Sequence, residues 1–216
     1  ACIIGELGMK AALDAIEEGK REREVAAAAV YAFIAYGAER PIETPYVVSG
    51  KRPFMIRASD KIIRHDELTR VDLGCVYAGY HSDFSRTVYL GDPPKELRDL
   101  YEALLEAHLN GIKTVRPGVT NTEVYETVKS RLSEQGYELG WFLGHGLGIG
   151  VHEEPIFGDT AHADEVRLEK GMYFCLEPSI MTSHGSMAIE DDLVVTESGA
   201  EVLTKSERGV RILTRN

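Results

Sequence analysis

Asp72 and Asp83 lie 11 residues apart, and their midpoint falls within Tyr77-Ala78-Gly79, between the strand-like runs Leu68 to Val76 and Ser85 to Leu90. In a regular hairpin about that centre the two carboxylates face each other, with Cβ atoms roughly 4.5–5.5 Å apart. The arrangement recurs at Glu177 and Glu190, which are centred within Thr182-Ser183-His184-Gly185. Opposed like charges destabilise a strand pair unless something neutralises them. Two chemistries would do so: a proton shared between the acids, or a bound divalent cation. A solvated surface is the third reading of either pair taken alone, because carboxylates are mostly exposed. Val71, Leu73, Leu176 and Ile189 flank these acids. That setting disfavours the surface reading, since an uncompensated buried charge is costly. The expectation is one site built twice, by two hairpins.

The densest motif is Gly144-His145-Gly146-Leu147-Gly148-Ile149-Gly150-Val151-His152-Glu153-Glu154-Pro155. Alternating glycines let a backbone approach a ligand closely. The dinucleotide fingerprint fails, because its third glycine would fall on Ile149 or Val151. A phosphate-binding loop fails for want of Gly-Lys-Ser/Thr, and the zincin helix motif fails because Ile156 stands where a second histidine is needed. No G-x-S-x-G nucleophile elbow occurs. What is left is His145 as a metal ligand and His152 as a polar contact to substrate, against the plainer reading of packed or surface histidines in a glycine loop. His65, His81, His108, His162 and His184 have no such setting and read as ordinary structural or surface residues, with His81 and His184 beside the hairpins.

These groups need a scaffold, and the hydrophobic periodicity supplies one. About the first 37 residues read as one or two helices. Pro41-Ile42-Glu43-Thr44-Pro45 marks a loop and Tyr46 to Gly50 a strand, followed by the first hairpin. Asp92-Pro93-Pro94 opens a helix of about 15 residues, with Leu97, Leu100, Leu104 and Leu105 on one face. Pro117-Gly118 breaks it, and Asn121 or Thr122 caps another helix running to about Gln135. Met172 to Leu176 and Ala188 to Thr196 form the second hairpin. The order is helices, hairpin, helices, hairpin, a weak structural repeat. With no linker or low-complexity stretch, a single α+β domain over residues 1–216 is expected.

The composition, 44% hydrophobic and 27% charged, is enough for a sizeable core and argues against wholesale disorder. A net charge of −11 argues against nucleic-acid and anionic-membrane partners, which need a positive field. The cysteines Cys2, Cys75 and Cys175 are odd in number and form no C-x-x-C, so no disulfide framework and a reduced, cytoplasmic location are expected. No apolar run reaches the ~18 residues of a membrane span. The chain begins at Ala1 in what already reads as helix, with neither Met nor cap, so an upstream segment is expected.

Taken together, Asp72, Asp83, His145, Glu177 and Glu190 resemble the five-ligand signature of the pita-bread metallopeptidases, which include the methionine aminopeptidases, the Xaa-Pro aminopeptidases and the prolidases. The likeness is carried by Val71-Asp72-Leu73-Gly74, Ser82 to Thr87, Gly144 to Gly148, His152 to Pro155, Leu176-Glu177-Pro178 and Ile189-Glu190-Asp191. It runs from about residue 10 to 205, and Ser82 to Thr87 is nearest to the Xaa-Pro branch. The resemblance implies a pita-bread fold of two pseudo-symmetric helix-plus-hairpin halves around a dinuclear centre. It implies that Asp83 and Glu190 bridge two divalent ions (Mn, Co, Zn or Fe), that Asp72 binds one, and that His145 and Glu177 bind the other. Four carboxylates would then be balanced by two dications. The implied activity is Xaa-Pro aminopeptidase or dipeptidase, with water between the metals acidified to a hydroxide nucleophile. Glu177 is the implied proton acceptor, and His152 the group that steadies the substrate carbonyl and its oxyanion. The implied partners are a peptide or small-molecule substrate and a second copy in a homodimer.

Two positions depart from the Xaa-Pro pattern. Met55 stands where those enzymes carry a substrate-contacting His, and Ala188 where they usually have Arg before Ile-Glu-Asp. Neither can donate a charge-assisted hydrogen bond. The departures open a second reading, a metalloenzyme of this fold acting on a small non-peptide substrate as a creatinase-like hydrolase or lyase. A non-enzymatic binding protein of the same fold is a third. No segment corresponds to the extra N-terminal domain of the Xaa-Pro branch, so a catalytic domain alone is expected. On this ligand assignment Asp83→Asn removes a bridging charge, and metal content and activity should fall together; a variant with normal metal content by atomic absorption would contradict the assignment.

Overall fold

The structure, a computed structural model, describes residues 1–53, 55–209 and 211–213. Two helices open it, α1 (Cys2–Ala15) and α2 (Glu22–Ala35), and they pack on each other. Their buried residues recur at helical spacing: Ile4, Gly5, Gly8, Met9 and Ala12 on α1, Val25, Ala29, Ala32 and Phe33 on α2. Strands follow: β1 (Arg40–Pro41), β2 (Tyr46–Ser49), β3 (Glu67–Leu73), β4 (Cys75–Tyr77), β5 (Tyr80–His81) and β6 (Phe84–Leu90). A second helix pair comes next, α3 (Lys95–Thr114) and α4 (Asn121–Glu134). Then come β7 (Phe142–Gly146), β8 (Glu153–Gly158), β9 (Tyr173–Leu176), β10 (Ser179–Thr182), β11 (Gly185–Ala188), β12 (Asp191–Val195), β13 (Ala200–Val202) and β14 (Arg211–Leu213).

Each helix pair covers one sheet. α1 and α2 lie on the four-stranded sheet β14-β6-β3-β2, in a core that includes Phe33, Val47, Val71 and Phe84. α3 and α4 lie on the five-stranded sheet β13-β12-β9-β7-β8, in a core that includes Leu104, Val128, Phe157, Phe174 and Leu176. The helices-then-hairpin order read from the sequence is present twice. α3 is longer than expected, at 20 residues, because Leu97, Leu100, Leu104, Ala107, His108 and Gly111 continue one buried stripe. α4 begins a residue early. Thr120 is its N-cap, in a capping box with Glu123, and neither Asn121 nor Thr122 caps it. The Asn121 amide is committed elsewhere: its nitrogen donates to the carbonyls of Ile156 and Asp164, and its oxygen accepts from the Val166 N–H.

The hairpins differ from expectation in one register and agree in the other. β3 pairs with β6 so that Asp72 faces Ser85 and Leu73 faces Phe84, and β4–β5 continues the same register to Tyr77 opposite Tyr80. The centre is therefore one residue later than predicted. Ala78 and Gly79 form a two-residue turn with φ of 51° and 78°, the conformation whose twist suits a tight hairpin. Asp83 consequently sits diagonal to Asp72 rather than opposite it. In the second hairpin Leu176 faces Asp191 and Ser179 faces Ala188. Glu177 and Glu190 fall between those ladders in the same register, as the spacing predicted.

The halves are stitched together where the hairpins meet. Thr87 Oγ1 donates to the Ala188 carbonyl at 2.8 Å and accepts from the Ala188 N–H at 3.0 Å. The Glu190 N–H donates to the Ser85 carbonyl at 3.2 Å. β11 therefore lies against β3 and β6, and the acids of both hairpins are brought to one junction.

A second polar knot fixes the segment after β2. Glu22 is fully buried, and its carboxylate accepts from the N–H and Oγ of Ser49, from Arg52 Nη1 at 2.6 Å, and from the N–H and Oγ of Ser59. Burial pushes its pKa upward, but the hydrogen bonds from Ser49, Ser59 and Arg52 outweigh that and hold it below the ordinary glutamate value. A depressed carboxyl pKa contributes stability that is present above the unfolded value, about 4.3, and is lost as the pH falls through the lower folded value. Glu22→Gln should therefore cost about 3 kcal/mol in urea denaturation near neutral pH. The deficit should shrink below about pH 4, and a deficit unchanged down to about pH 3 would contradict this account.

Candidate metal centre

Five side chains reach the junction from five places in the chain. Asp72 comes from β3, Asp83 from the residue before β6, and His145 from β7. Glu177 follows β9, and Glu190 precedes β12. They form two groups whose ligand atoms lie within 4.8 Å of one another: Asp72, Asp83 and Glu190 in one, and His145, Cys175, Glu177 and Glu190 in the other. Glu190 belongs to both. All five predicted residues are brought together, and Cys175, which reads from the sequence only as an ordinary buried or reduced thiol close to a proposed ligand, joins them.

His145 lies in a strand, contrary to its reading as a loop residue. It is paired with Ile156 on β8 and with Cys175 on β9. The glycines on either side explain the motif: a Cβ at Gly144 would stand 2.2 Å from the Cys175 carbonyl oxygen, and one at Gly146 would stand 2.2 Å from that of Glu154. His145 Nδ1 is 2.9 Å from the Gly146 carbonyl, which can only accept, so Nδ1 carries the proton. Nε2 then turns its lone pair to the site, 3.5 Å from Glu177 Oε1.

Burial drives the electrostatics. It raises the pKa of Asp83 and of Glu190 well above the carboxylate range, and the neighbouring acids raise both further. Glu177 is pushed up to about 8 by burial and by the Asp72 charge. Asp72 is raised by burial, but the Arg70 guanidinium, 3.4 Å from it, opposes the shift. Burial lowers His145 to about 4, so it is a neutral imidazole at ordinary pH. Glu190 Oε2 is buried without a hydrogen-bond partner among the described residues. A set of hard oxygen donors with one neutral imidazole, an orphaned carboxylate oxygen and uncompensated mutual repulsion fits divalent metal ions.

A layer behind the site was not singled out from the sequence. Asp191 points away from it, into a buried network. Its carboxylate accepts from Arg86 Nη2 at 2.8 Å, from Thr204 Oγ1 at 2.8 Å and from Arg208, and it meets His108 Nε2 at 2.8 Å. Burial would raise its pKa, yet the His108 contact and the Arg86 charge hold it well below the carboxylate range. Arg86 also donates to the carbonyls of Glu190, at 2.6 Å, and Ser85. The backbone carrying Glu190 is thus held from behind. Asp192 returns to the site side, where it accepts the Asp83 N–H at 3.2 Å. The only sequence signal for this layer was its place inside two motifs, Ser85-Arg86-Thr87 and Ile189-Glu190-Asp191. His108, read as ordinary, had none.

The acids floor a cavity of about 470 Å³, and Ile42, Trp141, Phe142 and Val151 give it an apolar side. His152 lines it as well, exposed, with its ring 4.2 Å from that of His145. Met55 lies on the wall and is 67% exposed, so this position is open to a ligand. Ala188 is buried, paired with Ser179, which lines the cavity. His65, His81, His162 and His184 have partners outside this set of acids: Asp66, the Gly148 carbonyl, Asp159 and Glu96.

Residues 1–197 match metallopeptidase family M24. The Xaa-Pro dipeptidase of Pyrococcus furiosus is 39% identical over 213 residues, which are 96% of this chain and 60% of that protein. The crystal structure of the prolidase from Pyrococcus horikoshii superposes with a TM-score of 0.90 at 38% identity, covering 96% of this chain and 60% of that one. Methionine aminopeptidase from Rickettsia prowazekii superposes with a TM-score of 0.82 at 18% identity, covering 94% of this chain and 93% of its own, a likeness of fold alone. The fold is the pita-bread fold of these proteins. The chain spans about 60% of the length of the curated relatives it matches. Across nearly its whole length, the chain belongs to metallopeptidase family M24.

Proposed function

We propose that this chain houses the active site of a metal-dependent Xaa-Pro peptidase. The observation that carries the reading is the convergence of four carboxylates and one neutral imidazole on the floor of a cavity with an apolar side. In this reading His145, Glu177 and Glu190 would hold one divalent ion and Asp72, Asp83 and Glu190 another. Two such ions supply Lewis acidity and draw a nucleophile from water near neutral pH. The residues do the rest. Ile42, Trp141, Phe142 and Val151 offer an apolar wall for a proline ring. His152 donates a ring N–H to the scissile carbonyl oxygen as negative charge develops there. Glu177 takes the proton of the attacking water and passes it to the leaving proline nitrogen as the C–N bond breaks. The relatives named Xaa-Pro dipeptidase support this substrate class.

Met55 and Ala188 favour a second reading, a small non-peptide substrate on the same centre, because neither residue offers the polar contact expected for a peptide. The discriminating experiment is turnover after reloading metal-stripped protein with Mn²⁺ or Co²⁺. The proposal expects cleavage of Xaa-Pro dipeptides to return with metal. Bound metal with no turnover across a panel of such peptides would overturn the peptidase reading in favour of the second.

The electrostatics give a test that needs no substrate. Glu190→Gln removes a buried carboxyl that, without metal, must either carry charge among its neighbours or be protonated at a cost. In chelator the variant should be more stable than the parent by about 1–2 kcal/mol, a rise in melting temperature of roughly 2–8 °C. With Mn²⁺ the order should reverse, because only the parent gains binding energy. A variant that melts below the parent in chelator would show that the acids do not repel one another as described.

A further inference from the structure

The ladder that presents His145 presents a sulfur beside it. His145 on β7 and Cys175 on β9 are directly paired, so their side chains leave the sheet on the same face. Glu177, two residues beyond Cys175, returns to that face by strand alternation. The Cys175 thiol is fully buried, and its Sγ lies 3.3 Å from His145 Nε2, the ring nitrogen left with its lone pair. One donor atom from each of His145, Cys175, Glu177 and Glu190 lies within 4.8 Å of the others. Independently, Glu190 contributes a buried Oε2 with no partner among the described residues. A tetrahedral ion with a metal–sulfur distance of about 2.3 Å and a metal–nitrogen distance of about 2.0–2.1 Å separates those two donors by roughly 3.5 Å. The observed spacing is close to that edge.

Resting on the metal reading above, we propose that Cys175 is a thiolate ligand of the ion held by His145, Glu177 and Glu190, making this position selective for a thiophilic ion, zinc or cobalt over manganese. The neighbouring group, Asp72, Asp83 and Glu190, offers oxygen alone and suits a hard ion such as Mn²⁺, so the two positions differ in metal preference. Ligation replaces the S–H bond by a metal–sulfur bond, and the proton leaves to water. The charges close as well: the thiolate adds a fifth negative charge to the four carboxylates, and the buried Arg70 guanidinium beside Asp72 adds a fifth positive charge to two dications.

The test loads the full chain with Co²⁺ and reads its absorption spectrum. An intense near-ultraviolet sulfur-to-cobalt band is expected in the parent and in Cys75→Ser, and it should be absent from Cys175→Ser. Competition dialysis should also shift Cys175→Ser at least about tenfold from Zn²⁺ towards Mn²⁺. X-ray absorption at the cobalt edge of the unmodified chain needs no variant and should find a sulfur shell at about 2.3 Å, one sulfur per chain and so about half a sulfur per cobalt when both positions are filled. Bound cobalt with only nitrogen and oxygen neighbours and no sulfur band overturns the role of Cys175 and leaves the metal centre standing, the thiol then being a hydrogen-bond donor to His145. Well under one cobalt per chain overturns both readings.

Discussion

Repulsion among buried carboxylates is the constraint on which the rest of the structure depends. Asp72, Asp83, Glu177 and Glu190 converge at the junction of two sheets, Asp83 and Glu190 buried and Asp72 and Glu177 partly so, where water screens them poorly. Left ionised and unpaired, such a set would cost more than the packing around it could offset. Among the described residues, Arg70 is the buried cation that lies against one of these acids, beside Asp72, while Arg86 is spent on Asp191. The imidazole is neutral and cannot help. Protons or metal ions must supply the rest, and the pKa values raised by burial and crowding express that demand.

Holding such groups together takes a frame stiff enough to resist them. Three consecutive acids show how it is built. Glu190 faces the site, Asp191 faces the other way into Arg86, His108, Thr204 and Arg208, and Asp192 turns back to accept the N–H of Asp83. Strand alternation assigns these opposed duties to neighbours in sequence. Arg86 closes the loop by binding both the Asp191 carboxylate and the Glu190 carbonyl. The catalytic-looking acid is thus positioned through its own backbone by the acid next to it.

Much of this was legible in the sequence, because periodicity and spacing report local geometry. The stripe Leu97, Leu100, Leu104 named the buried face of α3, and the spacing of Glu177 and Glu190 named their register. The same reasoning missed the first hairpin by one residue, since Ala78 gives no outward sign that it will adopt positive φ beside Gly79. Asn121 looked like a cap, but its amide is claimed by the 156–166 segment, a tertiary partner that no local pattern reveals. Cys175 and His108 read as ordinary residues, and Arg86 as one member of a motif with no role of its own, for the same reason. Their significance comes from what lies across the sheet or behind it, and cross-strand partners are known only once the strands are paired.

The account's central claim is that the acids at this junction form a cage for two dications. Metal analysis of the full chain after saturation with Mn²⁺ or Co²⁺ and exhaustive dialysis tests it most directly. Two ions retained per chain is the result predicted. Well under one would contradict it, and would mean that protons alone hold the four carboxylates together.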